Sequence, residues 1–126
     1  AILIADLDGL KECNDTYGHA AGDALITRTV EILQDLARDS DTVARLGGDE
    51  FGVLMAETDF AGGERLLYRV TTAFAAEQIP ASVGLANRNP AVGLVGAWQA
   101  ADADMYTVKQ EHHRDGVIVT PDRSAG

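Results

Sequence analysis

The sequence has 126 residues, 46% of them hydrophobic, with ten Lys plus Arg against twenty Asp plus Glu and a net charge of −10. That describes one acidic globular domain, long enough to bury roughly two thirds of its unfolded surface with no disulfide or metal staple. It argues against non-specific binding to nucleic acid or anionic membrane, which need clustered Lys and Arg, and leaves a carboxylate-held divalent cation to neutralise any anionic ligand.

The chain opens on Ala1-Ile-Leu-Ile-Ala5 without an initiator Met, a basic n-region or a signal-length apolar run, so it reads as part of a longer protein. No apolar run approaches the ~20 residues of a membrane span, and the single cysteine, Cys13, suits a reducing compartment. Ala1 to Ala5 is short and apolar throughout, as a strand buried on both faces should be. A polar stretch with Gly9, Gly18 and Gly22 follows, then a helical pattern to Ala37 with Leu25, Ile26, Val30, Leu33 and Leu36 on one face. Thr42 to Leu46 and Phe51 to Ala56 read as strands joined by Gly47-Gly48-Asp49-Glu50, a hairpin signal. Helical spacing returns over Glu64 to Glu77 through Leu66, Leu67, Val70 and Phe74. Pro80 stops that helix, and Ala81 to Ala86 reads as a strand. A last helix carries Trp98, Ala101, Met105 and Val108, and Val117 to Val119 suggests a final edge strand.

This order contains the β-α-β-β-α-β unit of ferredoxin-like folds. The class expected is α+β, an antiparallel palm-type sheet with flanking helices, those of the unit on one face. Asp6 and Asp8 then stand at the end of the first strand, two residues apart and on one side, while Asp49 and Glu50 occupy the hairpin tip. With the hairpin beside the first strand, these carboxylates meet at one sheet edge. Such a cluster repels itself and calls for a cation, for which Mg²⁺ with its preference for hard oxygen ligands is suited. Taken singly, Asp6 and Asp8 also read as helix caps, and Gly47 to Glu50 as an ordinary turn.

The segments from Asp6-Leu-Asp-Gly-Leu-Lys-Glu-Cys-Asn-Asp to Gly22-Asp23, then Arg45-Leu-Gly-Gly-Asp-Glu-Phe51, Ser82-Val-Gly84 and Ala101-Asp-Ala-Asp-Met-Tyr-Thr-Val-Lys109, occur in order over most of the chain. Together they resemble the GGDEF domain of bacterial diguanylate cyclases, the nucleotidyl cyclase-like family that condenses two GTP into cyclic di-GMP and two pyrophosphates. The resemblance implies a domain over residues 1–120, lacking the family's usual N-terminal segment, and a tail over 121–126. It implies Mg²⁺, or Mn²⁺, held by Asp6, the Leu7 carbonyl, Asp49 and Glu50, with Asp49 and Glu50 also catalytic. GTP would be bound by Gly9, Leu10, Lys11, Asn14, His19, Asp23, Gly48 and Lys109. Asn14 and Asp23 fall at the guanine-recognising positions, where unpaired polar groups would reject adenine. Each of these residues alone also reads as a turn or helix-cap residue.

Because one domain displays one nucleotide, the reaction implies an antiparallel homodimer. Arg38-Asp-Ser-Asp41 matches the family's Arg-x-x-Asp inhibitory site for the product, with Arg69 at a position that often joins it. A cytoplasmic location is implied, with no nucleic-acid partner and no direct membrane contact. Two departures stand out. The family's second phosphate-binding arginine, four residues after the Lys109 position, falls on His113, within His112-His113-Arg114; and Gln78-Ile-Pro80 runs directly from helix to strand where many members insert a strand pair. The alternative reading is a non-catalytic module that senses GTP or cyclic di-GMP, and a third is a bare dimerisation module.

Overall fold

The computed structural model describes residues 1–56, 58–87 and 93–114. β1 (Ile2–Leu7) is the centre of the molecule because both its faces are apolar. Leu3, Ala5 and Leu7 join one buried cluster, Ile2 and Ile4 another. β3 (Glu50–Met55) pairs with it on one side and β4 (Ala81–Ala86) on the other, while β2 (Asp41–Arg45) pairs with β3. All pairings are antiparallel, and the order is β2-β3-β1-β4.

The face bearing Leu3, Ala5 and Leu7 is covered by Ile32 and Leu33 of α2 (His19–Leu36) and by Leu66, Val70 and Phe74 of α3 (Phe60–Ala76). These are the two helices of the expected unit, and they share a face as expected. The opposite face is covered by α4 (Gly93–Arg114), through Ala97, Ala101 and Met105 packed on Ile2, Ile4 and Ala86. The sheet is therefore sandwiched rather than covered on one side only. Among the described residues, no helix is long and apolar enough to cross a membrane.

Two helix starts differ from the sequence expectation. The polar stretch after β1 holds α1 (Leu10–Tyr17), an eight-residue helix that buries only Cys13, and α2 begins at His19 rather than beyond Gly22. Gly22 is tolerated inside α2 because α1 crosses there, and a Cβ at Gly22 would overlap the Asn14 amide. The packing offsets the roughly 1 kcal/mol that glycine costs in a helix. α3 begins four residues before Glu64, where the Asp59 carboxylate accepts from the Gly62 N–H (2.8 Å) and serves as the N-cap. The Val117 to Val119 run lies outside the described residues, as do the side chains of His113 and Arg114.

Gly84 sets how closely α4 approaches the sheet. A Cβ there would overlap the Met105 backbone nitrogen and lie 2.5 Å from the Ala101 carbonyl oxygen, so α4 rests directly on the β4 backbone. Asp104 adds a polar tie, accepting from the Leu85 N–H at 2.8 Å. Gly84→Ala has to lever a whole helix away, and its expected cost is about 3 kcal/mol, at the upper end for overpacking. Thermal denaturation should show a midpoint lowered by roughly 10 °C. Gly52→Ala, whose Cβ meets only the flexible end of Leu46, should cost about 1 kcal/mol or less.

Candidate functional site

The end of β1 is tied to both neighbours by backbone hydrogen bonds. The Leu7 N–H donates to the Asp49 carbonyl (2.9 Å) and the Asp8 N–H to the Pro80 carbonyl (2.8 Å). Asp6 stands directly across from Glu50 on β3 and from Ser82 on β4. The hairpin tip that supplies Asp49 is shaped by Arg45, whose Nε donates to the Gly47 carbonyl (3.1 Å) and Nη2 to the Gly48 carbonyl (2.8 Å). In return, the Leu46 and Gly47 N–H groups both donate to the Glu50 carbonyl.

The electrostatics of this corner ask for positive charge. Burial raises the Asp6 pKa above the ordinary carboxylate value; Lys109 opposes that rise, and the charge and hydrogen bond of Asp49 add to it. Burial likewise raises Glu50, reinforced by the charges of Asp102, Asp6 and Asp49. Lys109 reaches in from α4, its Nζ donating to Asp6 Oδ1 (2.9 Å), Asp8 Oδ1 (3.2 Å) and the Leu7 carbonyl (3.4 Å). Its partial burial lowers its pKa, but the hydrogen bonds and charges of Asp6 and Asp8 win, and the ammonium titrates above its usual range.

Two of those acceptors, the Asp6 carboxylate and the Leu7 carbonyl, are oxygens expected to ligate a metal. Their ability to seat an ammonium shows that they favour a cation. Among the described residues, no group of three or more His, Cys, Asp or Glu side chains is placed to hold a metal. Mg²⁺ does not require such a cage, since it commonly uses one or two carboxylates and completes its octahedron with water and phosphate oxygens. Asp6, the Leu7 carbonyl and Asp49 therefore fit Mg²⁺ or Mn²⁺, with Glu50 beside them.

Asp8 does not join that cluster. It is 4% exposed, and its carboxylate accepts from the Ser82 hydroxyl (2.9 and 3.1 Å), from Lys109 and from His112 Nδ1 (2.9 Å). Ser82, itself fully buried, also lies 3.0 Å from His112 Nδ1. The sequence reading missed this network, whose hydrogen-bonded pairs are 30 to 104 residues apart.

Beside the carboxylates lies a groove of about 250 Å³, lined from Leu7 to Glu12 and by Asp49, Lys109 and His112. Gly9, in the left-handed region at φ 72°, turns the chain out of β1 and into α1. The first backbone N–H groups of α1 lack helical partners and suit an anion. Lys11 and Lys109, the chain's two lysines, both line this groove. A neighbouring cavity of about 580 Å³ is walled mainly by apolar residues, including Leu67, Phe74, Ile79, Val83 and Val108. It offers a phosphate little, although Asp8 and His112 reach its edge.

Asn14, His19 and Asp23 lie on α1 and α2, outside the groove lining. Asn14 packs across Gly22, next to Asp23 in sequence, and its Oδ1 is buried with no hydrogen-bond partner. An orphaned acceptor invites a donor such as an exocyclic amine. His19 and Asp23 are exposed.

At the far end of α2, the Arg38 N–H donates to Asp41 Oδ2 (2.8 Å) and the Asp41 N–H to the Arg38 carbonyl (2.9 Å). Asp41 Oδ1 is buried and unpartnered. A pocket of about 100 Å³ brings together Arg38, Asp41 and Arg69, and adds Arg65, one helical turn before Arg69, which the sequence reading did not name. The i,i+4 spacing of Arg65 and Arg69 was the available signal.

Residues 1–115 match the family model for the diguanylate cyclase GGDEF domain. The chain is 35% identical over 118 residues to the probable diguanylate cyclase DgcC of Escherichia coli, an alignment covering 86% of this chain and 32% of that protein. It thus spans about a third of that relative's length. The GGDEF domain of TpbB (YfiN) from Pseudomonas aeruginosa superimposes with a TM-score of 0.76 at 32% identity, over 87% of this chain and 75% of that one. The GGDEF domain of DgcB from Caulobacter crescentus, solved with c-di-GMP, gives 0.78 at 25% identity, over 87% and 71%. The intact Gly47-Gly48-Asp49-Glu50-Phe51 turn thus sits on the fold its relatives share, and the chain belongs to the GGDEF domain family.

Proposed function

We propose that this domain is the catalytic module of a diguanylate cyclase, condensing two GTP into cyclic di-GMP with release of two pyrophosphates. The observation that carries the reading is the convergence of Asp6, Asp49 and Glu50 beside a groove that holds both lysines. The first turn of α1, Lys11 and Lys109 would bind the triphosphate. Asn14 and Asp23, with His19 between them, would read the guanine, the unpartnered Asn14 oxygen accepting from the base. Asp6, the Leu7 carbonyl, Asp49 and Glu50 would hold Mg²⁺ or Mn²⁺, which supplies charge neutralisation for the phosphates and the departing pyrophosphate.

In each condensation the 3′-hydroxyl oxygen of one GTP bonds to the α-phosphorus of the other, and the bond from that phosphorus to the bridging oxygen breaks, in line. Asp49 or Glu50 accepts the hydroxyl proton. Burial, with the neighbouring charges of Asp102, Asp6 and Asp49, raises the Glu50 pKa, which favours proton uptake there. One domain presents one nucleotide, so the two GTP molecules must come from two domains facing each other in an antiparallel homodimer. The pocket of Arg38, Asp41 and Arg69 would take the product as an inhibitor, arginine stacking on guanine and the unpartnered Asp41 oxygen accepting from its edge.

The full-length parent, incubated with GTP and Mg²⁺, should yield cyclic di-GMP by chromatography, and Asp49→Asn should lower kcat by roughly 10² to 10⁴. GTP binding with no product at high protein concentration would overturn the cyclase reading in favour of a sensing module. For the second site, Arg38→Ala should relieve product inhibition and leave the initial rate unaltered. Loss of the initial rate instead would make Arg38 a structural residue.

A further inference from the structure

We infer that His112 is a phosphate-binding residue of the groove, held in place for that task by Asp8 and Ser82. The inference rests on the cyclase reading and deepens it, by giving the substrate's triphosphate a contact that no sequence motif assigns. His112 stands three residues after Lys109 on α4, so the two share a helix face, and both line the groove that contains the first turn of α1.

The ring is fixed on one side. Its Nδ1 lies 2.9 Å from Asp8 Oδ2 and 3.0 Å from the Ser82 hydroxyl. A carboxylate oxygen facing a ring nitrogen at that distance needs the hydrogen on Nδ1, so Nδ1–H donates to Asp8 and Nε2 is the ring nitrogen these bonds leave over. The Ser82 hydroxyl is then committed as a donor to Asp8. Asp8, buried and accepting from three side chains on two different elements, has little freedom to move and sets the orientation of the imidazole.

A phosphate oxygen accepting from Nε2–H would place the ring between two anionic partners, Asp8 on Nδ1 and the phosphate on Nε2. The same carboxylate anchors Lys109, so Asp8 fixes two side chains of the groove lining that stand about one helical turn apart on one face of α4. Among the described residues, the mainly apolar cavity that His112 also borders has no lysine or arginine in its lining and offers a phosphate little.

The test compares GTP with GMP, which carries the same base and sugar but only one phosphate. His112→Ala should weaken GTP binding by about tenfold, as for loss of one hydrogen bond to a charged group, and leave GMP binding unaltered. Ser82→Ala should weaken GTP in the same direction by less. Unchanged GTP affinity in His112→Ala overturns the inference, and so does an equal loss for GTP and GMP, which would make His112 a structural residue. If the unsubstituted chain binds neither nucleotide, the cyclase reading falls and takes this inference with it; GTP bound equally by both proteins removes the inference alone.

Discussion

The molecule is organised around negative charge at the end of β1 and the cations brought to meet it. Asp6 and Asp8 flank Leu7 at the carboxyl end of a strand buried on both faces, where unneutralised carboxylates would be costly. Their neutralisation comes from Lys109, more than a hundred residues away in the chain. That contact can form only if α4 lies flat on β4, and α4 lies flat only because residue 84 has no side chain. The apolar stripe Ala97, Ala101 and Met105 packs the helix down, and the same stripe continues one and two turns later as Lys109 and His112. Packing and chemistry are thus two stretches of one helix face.

Much of this was legible in the sequence where the signal is local. β1 announces itself as an uninterrupted apolar run because both its faces are covered, and β4 begins after Pro80, as expected. The Gly47 to Glu50 tip is readable because a turn between two apolar runs leaves few alternatives. α1 was not legible: it has one buried side chain, no side-chain cap, and a start created by the left-handed Gly9. The early start of α2 was hidden because glycine signals a break on propensity, and only the crossing of Asn14 over Gly22 reverses that signal. The start of α3 was missed for a smaller reason, since Gly62 and Gly63 in its first turns obscured the Asp59 cap.

The site divides in the same way. Asp6, Asp49 and Glu50 follow from strand ends and a hairpin tip, positions that topology alone brings together. The separation of Asp8 from that group does not follow, because it depends on Ser82 and His112 capturing its carboxylate from β4 and α4. Asp6 and Asp8 look equivalent by spacing, yet one faces the hairpin and the other turns inward. Burial and partners distinguish them.

The net charge of −10 gives no hint of where an anion could bind, since binding depends on local rather than summed charge. This chain has only two lysines, and both stand on one groove with the unpaired N–H groups of a helix start. Three of its eight arginines, Arg38, Arg65 and Arg69, meet at a second pocket on the far end of α2. Among the described side chains, Arg28 is engaged by Glu31 and Glu77 and Arg45 by the Gly47 and Gly48 carbonyls, so these two places are where basic side chains gather. An acidic protein that handles anions needs few basic residues when half of its ten are concentrated at two places, and a surplus of carboxylates then sharpens the choice of site.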